Sequence, residues 1–262
     1  MRQLVLVACV AVLMAACAGP ASSPGSGQEI RTESDQTDTD RRARARFELA
    51  TAYFSRGQME VALDEVKQAL AAKPDMAEAY NLRGLIYSNL NEPALAEESF
   101  RRALQLNGRD ADAMHNFGLF LCQQRRYADA EIQFNNALAQ PQYRDVIRTL
   151  LAQGVCQARA GQLEAAERSL QRAYELDAAN PFIAYNLTEV LYRRGNYERA
   201  RFYIRRVNLQ REQSSAQTLW LAMRIEQKLG NARGVDEFGA QLRSRYPTAP
   251  ETLAYERGRF DD

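Results

Sequence analysis

From residue 49 onward the sequence repeats itself about every 34 residues, and no other feature restricts the possible folds as strongly. Leu49-Ala50 aligns with Arg83-Gly84, Phe117-Gly118, Gln153-Gly154, Leu187-Thr188 and Ala222-Met223, the second members lying 34, 34, 36, 34 and 35 residues apart. Seven positions further on stand Gly57, Asn91, Arg125, Gly161, Gly195 and Gly230, and twelve further on Ala62, Ala96, Ala130, Ala166, Ala200 and Val235. A period of this size marks stacked supersecondary units, each too small to bury its apolar face without a neighbour. It argues against a single central core.

Within a unit the apolar residues follow helical spacing on both sides of an interruption. Ala79, Tyr80, Gly84 and Tyr87 form one stripe, Asn91-Glu92-Pro93 breaks it, and Ala96, Phe100 and Ala103 form the next. Small residues at the eighth and twentieth positions allow two helices to approach closely. The pattern resembles the tetratricopeptide repeat (TPR), with Tyr53, Tyr87, Leu121 or Leu191 at position eleven and Val66, Phe100, Phe134, Leu170 or Ile204 at position twenty-four. The resemblance implies an all-α, right-handed superhelical solenoid of six helix-turn-helix repeats, at about 43–76, 77–110, 111–146, 147–180, 181–215 and 216–249. A mostly charged C-terminal segment follows. Because a solenoid buries its core between neighbours, the end repeats should be polar caps. The first repeat presents Phe47, Leu49 and Phe54 instead, so either flanking residues or a partner should cover it.

The N-terminus reads as an address. Arg2 precedes an apolar run from Leu4 to Ala16 that is shorter than the ~20 residues a membrane-spanning helix needs, which suits a signal peptide's core over residues 1–16. Leu13-Met14-Ala15-Ala16-Cys17 resembles the bacterial lipobox, in which the cysteine is acylated and becomes the mature N-terminus. Met14 departs from the usual leucine, and secretion without acylation is the alternative. On the lipobox reading Cys17 carries acyl chains, and Ala18 in place of an aspartate implies sorting to the outer membrane of a Gram-negative cell. Residues 17–40 are rich in Pro, Ser, Gly and acidic residues, and are read as a tether. A flexible chain of that length spans about 25 Å root-mean-square.

Composition narrows the function classes. Lys and Arg number 34 against 33 Asp and Glu, so the electrostatic footprint of a nucleic-acid partner is missing. The densest basic stretch, from Arg193 to Arg206, is interleaved with Glu198 and reads as a solvated helix face. His115 is the only histidine, too few for the usual zinc site, and no HExxH, GxSxG or phosphate loop occurs. The expectation is a binding protein without catalytic residues, cofactor, metal or small-molecule substrate.

TPR solenoids bind peptides on the concave face lined by their first helices, and that resemblance puts Phe47, Leu49, Phe54, Leu85, Leu119, Val155, Tyr185, Tyr192 and Trp220 on a partner-binding surface. Asn81, His115, Leu151, Phe182 and Arg224 would flank them. Tyr, Trp and Arg concentrate binding energy at interfaces, although an aromatic at helical spacing also serves as core. Cys122 and Cys156 fall on the first helices of adjacent repeats, which lie side by side in the TPR fold. They form either a disulfide in an oxidising compartment or two separate buried thiols.

Lipobox, polar tether and six repeats, with segments such as Tyr80-Asn81-Leu82-Arg83-Gly84 and His115-Asn116-Phe117-Gly118-Leu119-Phe120-Leu121-Cys122, resemble the PilF/PilW family of type IV pilus biogenesis lipoproteins. The resemblance implies a pilotin: an outer-membrane lipoprotein that binds the pilus secretin and promotes its localisation and multimerisation, supporting twitching motility. A lipid-anchored TPR adaptor for peptidoglycan or envelope-assembly proteins is the alternative.

Overall fold

The computed structural model describes residues 37–260, and within them the chain forms thirteen α-helices and no strand. Twelve pair into six hairpins: α1 (Asp38–Ser55) with α2 (Met59–Ala72), α3 (Ala77–Asn89) with α4 (Pro93–Leu106), and α5 (Ala111–Gln123) with α6 (Tyr127–Leu138). The array continues with α7 (Val146–Arg159) and α8 (Leu163–Leu176), α9 (Pro181–Arg193) and α10 (Tyr197–Leu209), and α11 (Ala216–Lys228) and α12 (Ala232–Arg245). The short α13 (Pro250–Glu256) closes it. None of these helices is long and apolar enough to cross a membrane.

Two of the repeating columns have direct physical causes. Gly57, Asn91, Arg125, Gly161, Gly195 and Gly230 all adopt positive φ, between 59° and 78°, at the end of each first helix. That conformation lets the following amide donate back to the helix, as Gln58 N–H does to the Tyr53 carbonyl at 3.0 Å and Arg126 N–H to the Leu121 carbonyl at 2.9 Å. Glycine takes it without strain, whereas Arg125 carries the cost of a Cβ. The eighth-position column is set by close approach. A Cβ on Gly84 would lie 2.8 Å from the Phe100 ring, one on Gly118 2.8 Å from Phe134, and one on Gly154 2.5 Å from Leu170 Cγ. The bulky residue at position twenty-four therefore fills the space that the missing side chain leaves.

Each helix packs on the next, and first helices also touch across repeats, α3 on α5, α5 on α7, α7 on α9 and α9 on α11. This lines one face of the solenoid with first helices. The core runs through the hairpins in three clusters, around Val66 and Ile86, around Phe100, Leu121 and Phe134, and around Leu170, Leu187, Ile204 and Ile225.

The first helix begins earlier than the tether expected to reach residue 40. Thr37 caps it: its hydroxyl accepts from Asp40 N–H at 3.1 Å while the Asp40 carboxylate accepts from Thr37 N–H at 3.3 Å. Lys73 Nζ reaches the same carboxylate at 2.8 Å, and this hydrogen bond, helped by Thr37, holds the Asp40 pKa down to about 2. The signal-peptide and lipobox residues, Cys17 included, lie outside the described residues.

Candidate partner-binding groove

Positions five and nine of the first helices lie along the face built by α3, α5, α7, α9 and α11. Leu85, Leu119, Leu151, Val155, Tyr185, Tyr192 and Trp220 are each half-buried there. Phe47 and Phe54 are half-buried against the first core cluster, and Leu49 is exposed on α1. At the α3–α5 step the lining is polar, with Asn116 donating to Asn81 Oδ1 at 3.2 Å.

His115 departs from its expected groove position. It is 1 % exposed, its Nδ1 lies 2.8 Å from Thr149 Oγ1, and Thr149 Oγ1 lies 2.6 Å from the Tyr143 hydroxyl. Tyr143 precedes α7 in the longer loop of the 36-residue unit, so this buried polar chain joins repeats three and four. Burial, with the nearby Arg148 guanidinium adding to it, lowers the His115 pKa to about 4. The imidazole is therefore neutral at pH 7 and works as a core hydrogen-bonding group.

Cys122 and Cys156 are joined by a disulfide, with their Cα atoms 5.9 Å apart. It ties α5 to α7 across the same junction as the His115 chain.

Trp220 also differs from the expectation of an open anchor. The chain after α13 turns back so that Phe260 stacks on it, centroids 5.6 Å apart and planes 12° from parallel, and Tyr255 meets Phe260 edge-on. The C-terminal segment is thus an apolar cap underneath its charged exterior, and Tyr255 sits where a Cβ on Gly239 would fall 2.3 Å away. Beside this cap the Arg224 guanidinium lies 4.9 Å above the Tyr192 ring, and its Nε is buried without a hydrogen-bond partner. Burial raises the Tyr185 pKa, and the carboxylates of Glu189 and Glu251 push it the same way. Tyr185, Tyr192 and Arg224 bring two half-buried amphipathic rings and a guanidinium together on this face.

Most of the basic stretch is consumed internally, while Arg206 packs over the Phe202 ring. Arg194 and Arg199 both pair with Glu167, Arg201 pairs with Glu198, Arg193 donates to the Ala158 carbonyl at 3.0 Å, and Arg205 reaches the buried Glu226 at 2.7 Å. Among the described residues no group of three His, Cys, Asp or Glu side chains could hold a metal ion.

Comparison with known proteins agrees with this architecture. Tetratricopeptide-repeat models match residues 35–77, 77–110 and 157–221. The type IV pilus assembly protein PilF of Pseudomonas aeruginosa is 27% identical over 207 residues, 79% of this chain and 82% of that protein. The crystal structure of PilW, described as a widely conserved type IV pilus biogenesis factor, superposes with a TM-score of 0.74 at 30% identity, covering 81% of this chain and 97% of that one. The chain belongs to the PilF/PilW family. A solved structure from a functional characterisation of Pseudomonas aeruginosa PilF also superposes, with a TM-score of 0.73 at 25% identity over 85% of this chain and all of that one. As a PilF/PilW protein it is a TPR factor of type IV pilus biogenesis, a scaffold that acts through protein partners.

The sequence left two parts of this site unseen. Phe260 against Trp220 is a contact between elements about 40 residues apart with no periodic signal. The His115–Thr149–Tyr143 chain depends on a loop that the average repeat does not contain.

Proposed function

We propose that this PilF/PilW protein is a pilotin, tethered to the inner leaflet of the outer membrane through acyl chains on Cys17. It binds pilus secretin subunits through its first-helix face and raises their local concentration, so that they insert and multimerise. The family membership carries the pilus assignment. The observation that supports delivery is the face itself, half-buried apolar and aromatic groups running from Leu85 to Tyr192 with no catalytic constellation beside them. Such a surface offers area and aromatic anchors to a partner chain, and a lipid tether turns the second contact into an intramolecular one.

A deletion strain tests the proposal. Loss of surface pili and of heat-resistant secretin multimers from the outer membrane is the expected result, with both restored by the full chain. Normal multimers accompanied by altered cell shape or lysis would instead favour an envelope-assembly adaptor. Cys17→Ser should keep the repeat body folded but release it from the membrane fraction, and unchanged fractionation would overturn the anchor.

A further inference from the structure

Repeat five carries large apolar residues at three outer positions where the other repeats are mostly polar or small. At position two the six units carry Arg44, Glu78, Asp112, Arg148, Phe182 and Gln217. At positions twenty-two and twenty-nine they carry Asp64 and Ala71, Glu98 and Gln105, Ile132 and Ala139, Arg168 and Glu175, Phe202 and Leu209, and Glu237 and Ser244. Only repeat five is apolar and large at all three. Phe182 is 71% exposed, Phe202 56% and Leu209 83%. A repeat that needed these positions only for folding would hold what its neighbours hold there.

A cavity lies beside these residues, lined by Pro181 and Gln210, the chain neighbours of Phe182 and Leu209. Phe202, Arg206 and Leu209 stand at i, i+4 and i+7 on α10 and so share one helix face, and the Arg206 guanidinium packs over the Phe202 ring at 5.8 Å. Arg206 is also a wall of a cavity of about 260 Å³, enclosed between the loop joining α8 to α9 and the C-terminal turn of α10. Pro181, next to Phe182, forms another wall, and Tyr174 a third. Tyr174 is 9% exposed, stacks edge-on against Tyr203 at 4.9 Å, and has a buried hydroxyl with no hydrogen-bond partner. A buried hydroxyl left unpaired costs about 1–3 kcal/mol, and a ligand acceptor would remove that cost.

The chemistry of the walls selects the occupant. Arg206 is their only charged group, Gln210 and Gln213 add amides, and no carboxylate lines the cavity. Exposed apolar side chains beside the cavity and a cationic donor in its wall fit apolar residues alternating with carboxylates. We propose that repeat five carries a second docking surface, spanning the N-terminal end of α9 and the exposed face of α10, for an acidic and apolar segment of a partner protein. Phe182, expected beside the groove, belongs to this surface, which does not include Leu85, Leu119, Val155, Tyr185 or Tyr192, so it holds whichever protein those residues bind.

The test uses the full chain and fluorescein-labelled synthetic peptides of three kinds: Leu and Phe alternating with Asp and Glu, the same peptides with Asn and Gln, and the same with Lys. Fluorescence anisotropy is read at moderate salt, with vesicles of phosphatidylglycerol and phosphatidylethanolamine as a lipid arm. Acidic peptides should bind about tenfold tighter than basic ones, about 1.4 kcal/mol. Arg206→Glu should reverse that order, which a purely structural role for Arg206 would not do. The double variant Phe182→Ser, Leu209→Ser alters only exposed side chains and should abolish binding, while Tyr185→Ala on the first-helix face should leave it unchanged. Equal affinity for all three peptides, an unchanged order in Arg206→Glu, or binding to vesicles without peptide discrimination would each overturn the proposal.

Discussion

The junction between repeats three and four should respond most strongly to a single chemical change, reduction of the Cys122–Cys156 disulfide. The bridge spans a sequence separation of 34 residues. Closing a loop of that size removes about 13 cal/mol/K of chain entropy from the unfolded ensemble, equivalent to about 4 kcal/mol at 25 °C. Reduction leaves both buried sulfur atoms in place, so the packing around Phe120 and Leu121 is nearly preserved and the loss isolates the cross-link. With a urea m value near 2–3 kcal/mol/M, the midpoint should fall by about 1.5 M. A solenoid's stability is approximately a sum of repeat and neighbour-interface contributions, so the loss should not be uniform. Hydrogen exchange should speed up most in α5 and α7 and least in α1 and α11. The assays are urea unfolding followed by circular dichroism with and without reductant, and mass spectrometry of unreduced digests, which should return Cys122 and Cys156 in one linked peptide. A midpoint unmoved by reduction, or both cysteines recovered alkylated without reductant, would refute the reasoning.

Three further outcomes follow from local geometry. Gly154→Ala should destabilise by up to about 2 kcal/mol in urea unfolding: overpacking against Leu170 and the Ala166 carbonyl costs about 1–3 kcal/mol and is offset in part by the ~1 kcal/mol gain in helix propensity. Arg125→Gly should stabilise by about 1 kcal/mol by relieving the left-handed backbone at φ 59°, read as a raised melting temperature. His115 has a folded pKa of about 4 against an ordinary value of 6.5, so the folded state resists protonation; stability should be full above pH 6.5 and fall by about 3 kcal/mol as pH drops toward 4. His115→Gln should flatten that part of the pH dependence, and a His115 NMR titration with a midpoint near 6.5 would contradict the burial argument.

The repeating fold was legible because its constraints act at every turn of the array. A left-handed residue ends each first helix, glycine at the eighth position of repeats two to four admits the bulky residue at position twenty-four, and both leave columns that one sequence displays against itself. The site was legible only as far as those averages hold. Leu85, Leu119, Val155, Tyr185 and Tyr192 stand on the first-helix face because their positions are shared by all units. His115 occupies an equivalent position, yet it is buried against Thr149, whose hydroxyl also meets Tyr143 from the lengthened loop. Trp220 is stacked by Phe260, which lies beyond the last repeat where periodicity is silent. Phe182, Phe202 and Leu209 stand out from the columns, but the cavity beside them forms only where α10 meets the α8–α9 loop.

The account rests on the first-helix face as the place where a secretin subunit is held. Photocrosslinking amino acids at Leu85, Leu119 and Tyr185 of the full chain, irradiated in piliated cells, test this most directly. The expected result is an adduct with the secretin from each position and a much weaker one from the exposed second-helix position Glu98. Absence of secretin adducts from all three first-helix positions, with the protein present at normal levels, would contradict it.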